Sequence, residues 1–256
     1  MQQIFRKNRV LFWLGTAHFG LALLLLAYFP FNDTLVLGIN SVTKPLKFAL
    51  SIGVFSWTMS VILHYMDNAR QVTIYSWAAV VCFGFEQLAI TSQALRGQMS
   101  HFNKTDVYGT VLYSLMGVFI LTITLWTAFM TVVFIRQKTV ELPLAVALSI
   151  KIGLIYCVIF SLLGGYISSL QGHTVGAADG GEGIVFLNWS RFFGDLRVAH
   201  FFGIHSLQIL PLFALFIEKR VSISASIKAI WLFSIVYLGF ILLTLIQGLM
   251  GLPFLN

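Results

Sequence analysis

A few ionisable and amide side chains stand out against a very apolar chain. The densest run is Asp195-Leu-Arg197-Val-Ala-His200-Phe-Phe-Gly-Ile-His205-Ser-Leu-Gln208. On a helix with Arg197 at zero, Gln208 falls near 20°, His205 near 80° and His200 near 300°, so the four share an arc of about 140°. His200 and His205 lie on opposite flanks of that arc, five residues apart, whereas an i, i+4 pair would hold one metal ion better. A second stripe is formed by Glu86 and Gln93, about 20° apart, with Gly97 beside them and Arg96 at the outer edge. His101 follows in Ser100-His-Phe-Asn103, His173 lies in Gly172-His-Thr-Val-Gly176, and Lys44 and Lys47 lead into another apolar run. Cationic side chains bind anions, and histidine also ligates metals when neutral. These residue types point to a small anionic or metal-bearing ligand. The candidate ligand-binding residues are Lys44, Lys47, Glu86, Gln93, Arg96, His101, His173, Asp195, Arg197, His200, His205 and Gln208.

The elements that position them follow from composition. Of 256 residues, 58% are apolar or aromatic and 10% charged. A soluble domain carries about 25% charged residues, so a water-facing globule is excluded, as are disordered, collagen-like and disulfide-stapled chains. Seven runs nearly free of charge, at about 10–32, 48–66, 72–95, 107–135, 142–167, 198–217 and 229–250, are each long enough to cross about 30 Å of hydrocarbon as a helix. The runs are continuous rather than alternating, which argues against strands. The expectation is an all-α polytopic membrane protein, a single seven-helix domain in a lipid bilayer. Glu86 and Lys151 lie inside spans, where an ionised group needs a partner or a wet cavity. Lys151 and Arg96 are the expected partners of Glu86.

The first span is preceded by Arg6, Lys7 and Arg9 but exceeds the apolar length of a cleaved signal, so it reads as a retained helix. Nine loop cations fall on the N-terminal side and six on the other, which places the N-terminus inside and the C-terminus outside. Most of the six outer cations border the candidate site. The loop Gln171–Asp195 is the longest, and its Trp189, His173 and glycines predict a fold over the outer mouth. Cys82 and Cys157 fall within spans as packing residues, and no disulfide is expected. The net charge of +7 reflects loop cations and does not imply nucleic acid. No dinucleotide, nucleotide or EF-hand motif is present.

The second and sixth spans match at a shift of 150, with Lys47 over Arg197, Gly53 over Gly203 and Arg70 over Arg220. The third and seventh match at 154 or 155, with Trp77 over Trp231 and Gln93-x-Leu-x-Gly97 over Gln247-x-Leu-x-Gly251. The first and fifth show no match. These pairings suggest a 3+1+3 parallel repeat with halves 10–95 and 142–251, a layout shared with small sugar exporters, whose Pro-Gln signature is absent here.

The stretch from Gly172-His-Thr-Val-Gly176 to Asp195-Leu-Arg-Val-Ala-His200, with Lys44-Pro-Leu-Lys47-Phe and Ser100-His-Phe-Asn103, resembles an uncharacterised family of bacterial multi-pass membrane proteins. That resemblance implies a bacterial inner-membrane setting and no mechanism. Ser60-x-x-x-His64 resembles one motif of the seven-span zinc hydrolases, but their His-x-x-x-His pair is missing. The first functional reading is an outward-facing polar cavity that binds or moves a small anionic solute. The alternatives are a haem- or metal-binding redox or hydrolytic protein, with His18, His200 and His205 as candidate ligands, and a non-catalytic assembly or sensor subunit.

Overall fold

The computed structural model describes residues 8–104, 106–137, 141–181 and 183–255. Arg6, Lys7 and Lys138, counted above among the loop cations, lie outside the described residues. The chain is an all-α multi-pass membrane protein with seven helices long and apolar enough to span a bilayer. They are α1 (Arg9–Tyr28), α2 (Thr43–Leu63), α3 (Ala69–Leu95), α4 (Val107–Arg136), α5 (Leu144–Ser169), α6 (Arg197–Ile217) and α7 (Ile223–Leu249). Sheet among the described residues is confined to two antiparallel pairs, β1 (Leu35–Val36) with β2 (Ile39–Asn40) and β3 (Thr174–Val175) with β4 (Gly194–Asp195).

Several helices begin earlier than their charge-free runs: α2 takes in Lys44 and Lys47, α3 takes in Arg70, and α7 takes in Lys228. A lysine near a helix end runs its stem along the apolar surface and sends its ammonium group to the interface, so charge marks the end of a span poorly. Pro45 is tolerated because it lies in the first turn of α2, where its missing N–H has no helical partner to lose. Asn8, Asn68 and Ser222 cap α1, α3 and α7 by accepting the backbone N–H of Leu11, Gln71 and Ala225.

The chain divides into two compact units. Unit 1 comprises residues 1–123 with 180–182, and unit 2 comprises 124–179 with 183–256. In unit 1, α1 and α2 meet through glycine: a Cβ on Gly53 would lie 2.7 Å from the Phe19 ring. The Trp57 indole crosses the same seam, donating to the Phe12 carbonyl at 3.2 Å and stacking on the Phe12 ring. In unit 2, α5 and α6 are equally close. A Cβ on Gly153 would come within 3.0 Å of the Ser206 carbonyl, Gly203 lies against the Phe160 ring, and Ser206 Oγ donates to the Gly153 carbonyl at 3.1 Å. Without a hydrophobic drive between helices in lipid, such small-residue contacts let dispersion hold the pairs.

Apart from α4, which is divided between them at Ile123, each unit runs helix, strand pair, helix, helix. Before α2, Ser41 N–H donates to the Thr34 carbonyl at 2.9 Å and Val42 N–H to Asn40 Oδ1 at 3.0 Å. Before α6, Leu196 N–H donates to the His173 carbonyl at 3.0 Å and Arg197 N–H to Asp195 Oδ1 at 3.0 Å. α2 and α6 both have 21 residues, and α3 and α7 both have 27. Their ends pair as Thr43 with Arg197, Leu63 with Ile217, Ala69 with Ile223 and Leu95 with Leu249, a shift of 154 throughout. By these bounds Arg197 is level with Thr43, one helical turn from the Lys47 pairing read in the sequence. A four-residue slip leaves most of an apolar helical face aligned with itself, so the sequence match at 150 survives the offset.

The two C-terminal caps also correspond. Gln98 N–H reaches the Gln93 carbonyl at 2.9 Å, and Leu252 N–H the Gln247 carbonyl at 3.0 Å. Gly97 (φ +65°) and Gly251 (φ +74°) take the left-handed position that closes such a cap. The Gln93 amide donates onward to the Met99 carbonyl, and the Gln247 amide to that of Pro253.

Candidate functional site

Unit 1 holds a buried polar core that its own side chains leave incomplete. Glu86, on α3, is 3% exposed. Its Oε1 lies 3.8 Å from His101 Nε2, and Lys44 at the start of α2 is within electrostatic reach. Its Oε2 is buried with no hydrogen-bond partner. The expected pairing with Arg96 is replaced by His101 because Arg96 is already engaged at the helix end. Next to it, Gln87 donates to the Pro45 carbonyl at 3.2 Å and to Thr91 Oγ1 at 3.1 Å, while its own Oε1 has no partner.

Deeper in the same three-helix core, Ser56 Oγ and His18 Nε2 are likewise buried without partners. His18 Nδ1 is 2.8 Å from the Leu14 carbonyl, and a carbonyl oxygen can only accept, so Nδ1 carries the proton and Nε2 its lone pair. The ring lies close to the Phe83 backbone of α3. The Phe55–Phe83 ring contact at 5.3 Å and the Phe19–Gly53 contact bring this part of α1, α2 and α3 to one depth, about a helical turn from Glu86. Buried polar atoms are hydrogen-bonded as a rule, so four exceptions in one small core mark a place suited to water, a ligand or a transferable proton.

His101 links this core to solvent. Its side chain is 25% exposed, and its Nδ1 is 3.2 Å from Ser100 Oγ. Its ring packs between Phe48 (5.8 Å) and Tyr113 (6.0 Å). Lys44 and Lys47 are half-buried in the first two turns of α2.

The Gln93–Arg96 group is spent on structure. Gln93 is fully buried, and its Oε1 accepts from Arg96 at 2.8 Å. Arg96 also pairs with Asp106 at 3.0 Å and covers the Tyr108 ring at 4.4 Å. Hydrogen bonds from the Gly109 N–H and from Arg96 hold the Asp106 carboxyl below its usual range. Lys151, on α5, is half-buried and forms no ion pair among the described residues.

The residues of unit 2 singled out in the sequence satisfy one another. Asp195 is 2% exposed and accepts from Arg197 Nε at 2.9 Å, from a second guanidinium nitrogen at 2.6 Å, and from the backbone N–H of Ser190 and of Arg197, both at 3.0 Å. Burial alone would raise the Asp195 carboxyl, but the Arg197 hydrogen bonds and charge, His173 and the Ser190 N–H outweigh it and hold the group low. Arg197 also donates to the Asn188 carbonyl at 2.5 Å. His173 Nδ1 lies 3.2 Å from Asp179 and 3.9 Å from Asp195. Asp179 in turn accepts the His173 and Thr174 N–H groups. Residues 171–179 and 183–195 of the connector are therefore folded onto the α6 end of unit 2, with Trp189 buried against Phe201, Phe202 and Phe254.

His200 Nδ1 bonds the Phe160 carbonyl at 2.6 Å, and its ring covers Gly164. His205 Nδ1 is 3.2 Å from Gln208 Oε1, and its ring packs on Phe201 at 4.4 Å. The two histidines thus have separate neighbours, as their opposite flanks require. No group of three or more His, Cys, Asp or Glu able to hold a metal occurs among the described residues. Cys82 and Cys157 are buried free thiols.

Gln87 and Ser56 were not picked out by sequence reasoning. Each is one polar residue in an apolar run, and the distinguishing feature, a missing partner, is visible only in three dimensions. No protein-family model matches the chain, and neither a curated protein nor a solved structure matches it.

Proposed function

We propose that this multi-pass membrane protein binds or moves a small anionic solute, and that the binding groups are in unit 1: Lys44, Glu86, Gln87 and His101. One observation carries the reading: Lys44 and a partly exposed His101, the groups that meet an anion, border two buried oxygens without donors, Glu86 Oε2 and Gln87 Oε1, which accept a proton or the solute's own donor groups. A polar core left open inside a membrane protein is costly unless something fills it. Arg96 and Arg197, each paired with an aspartate, contribute less to anion binding than their charges suggest. The equal lengths and matching caps of α2–α3 and α6–α7 support descent from a duplicated three-helix unit with α4 as the added span, an organisation common among transporters. That last likeness is architectural. We assign the chain to a bacterial inner membrane, N-terminus inside, with His101 opening outward. Reporter fusions after Lys138 and after Asn256 have to fall on opposite sides.

The binding test is thermal stability of the full chain in lipid nanodiscs with phosphate, sulfate, acetate and succinate in turn. A ligand present at a hundred times its Kd stabilises by about 2.7 kcal/mol. At least one anion raises the melting temperature of the wild type and has no effect on Lys44→Gln. Indifference of the wild type to all four overturns the anion reading. A metal or haem reading retains one supporting observation, the buried Nε2 lone pair of His18. An absorption spectrum and metal analysis of the purified protein decide it.

A further inference from the structure

Glu86 is the one acid buried in unit 1 among the described residues. Ion pairs that serve only to hold a fold close both carboxylate oxygens onto donors, as Asp195 does in unit 2. Glu86 does not. One oxygen has no partner, and the other is 3.8 Å from His101 Nε2, too long for a hydrogen bond and the right span for a small closure or one intervening water.

We propose that Glu86 is a proton-carrying site, loaded and unloaded through His101, and that the proton on Glu86 is what makes the cluster receptive to an anion. This rests on the function proposed above and adds the coupled ion to it. The transfer is a proton movement alone. A proton from solvent adds to the neutral His101 imidazole, passes from Nε2 to a Glu86 oxygen directly or through one water, and leaves the imidazole neutral again. With Glu86 neutral, Lys44 gives the cluster a net positive charge. With Glu86 ionised, the two cancel and the attraction for an anion is lost. Anion binding therefore strengthens as pH falls, and a proton is taken up with the anion.

The surroundings contain the groups such a step needs and few that compete. From α2 the facing charge is Lys44. From the α3–α4 connection it is His101, whose ring is flanked by Tyr113 of α4. On α3 itself Cys82, one turn away, feels the Glu86 charge. From α1 the ionisable side chain in this core is His18. Imidazole changes charge between about pH 5 and 8, the range in which a cell could use it to relay protons.

The experiment is infrared difference spectroscopy of the full chain in lipid, stepped through pH without any anion ligand. The wild type shows the carbonyl stretch of a buried protonated carboxylic acid, which disappears as pH rises. In Glu86→Gln that band is lost. In His101→Gln the band is kept but responds more slowly to a pH jump, because the group that passes the proton to Glu86 is gone. Should Glu86→Gln fail to fold, Glu86→Asp serves instead, and the band has to shift in frequency. A wild type with no such band at any pH, or a band that is unchanged in both Glu86 variants, overturns the proposal. The anion reading is tested separately, by the nanodisc melts. A titrating Glu86 with no anion effect leaves the proton site standing and removes the solute, and an anion effect without the band does the reverse.

Discussion

The two units share a plan and differ in what they bury. From the strand pair to the last cap they have the same order, the same helix lengths and the same turn chemistry. At the 154-residue shift, Ser56, Glu86 and Gln87 of unit 1 correspond to Leu210, Phe240 and Ile241 of unit 2. Leu210 and Ile241 are fully buried, and Phe240 packs on Phe202 at 4.9 Å. Unit 2 is thus apolar at these three positions; at one end Asp195, Arg197, Asp179 and His173 bind each other, and its one unpartnered buried side-chain atom among the described residues is Ser234 Oγ. Unit 1 carries its polar atoms inside and leaves four of them unanswered. The density of polar residues in the sequence does not tell a self-paired cluster from one with unpartnered atoms: the richer cluster, at the start of α6, is self-paired, and the sparser one on α1–α3 holds buried polar atoms without partners.

If that contrast is right, removing Arg197 damages structure. Arg197→Met leaves Asp195 buried without its charge partner, a loss of about 3–5 kcal/mol by analogy with other broken buried pairs. The connector should open, which the fluorescence of Trp189 reports when the other five tryptophans are replaced by phenylalanine. Acid does the same to the wild type. Asp195 is held below its ordinary value, so its contribution to stability is complete above the unfolded carboxylate value near 3.9 and is lost as pH falls through the lower folded value. Trp189 emission should be steady from pH 7 down to about 4 and shift only below it. Arg197→Met with an unchanged melt and an unchanged Trp189 signal would mean that this pair does not hold the connector.

The converse substitution in unit 1 has a smaller effect of opposite sign. Glu86→Leu makes the position resemble Phe240, removing a buried carboxyl with an unpartnered oxygen. Replacing such groups by apolar ones is often neutral or stabilising, and here a gain of about 1–3 kcal/mol is expected together with loss of anion stabilisation. A destabilised Glu86→Leu would place Glu86 with Asp195, as a structural acid, and end the contrast between the units.

The sequence made the fold legible because crossing a bilayer imposes long, apolar, continuous helices, and charge scarcity alone located seven of them. Span ends were less legible, since Lys44, Lys47 and Lys228 lie inside helices whose apolar stretches begin after them. Part of the site was readable: Glu86 inside an apolar run, and His101 just beyond it. Gln93 shows the limit. It lies on the Glu86 stripe, but its amide is used on the Met99 carbonyl and on Arg96. Whether a polar group is spent on its own chain depends on loop geometry that residue spacing does not encode.

The smallest effect tests whether the two units are copies of one plan down to their turns. Gly97 and Gly251 both sit at positive φ, where a Cβ meets the following carbonyl oxygen, and alanine at such a position costs about 1 kcal/mol or slightly more. A Cβ on Gly97 would also lie 3.2 Å from the Thr34 methyl, whereas on Gly251 its nearest neighbour is the Val175 carbonyl at 3.5 Å. Gly97→Ala should therefore cost a few tenths of a kcal/mol more than Gly251→Ala. Because each cap is also tied by a glutamine amide, Gln93→Leu and Gln247→Leu should each weaken the cap beside them, and the glycine and glutamine changes in one unit should be non-additive. Melts of the four single and two double variants read this directly. Equivalent coupling in both units supports one duplicated cap, and coupling in only one of them makes the shared glycine and glutamine a coincidence of composition.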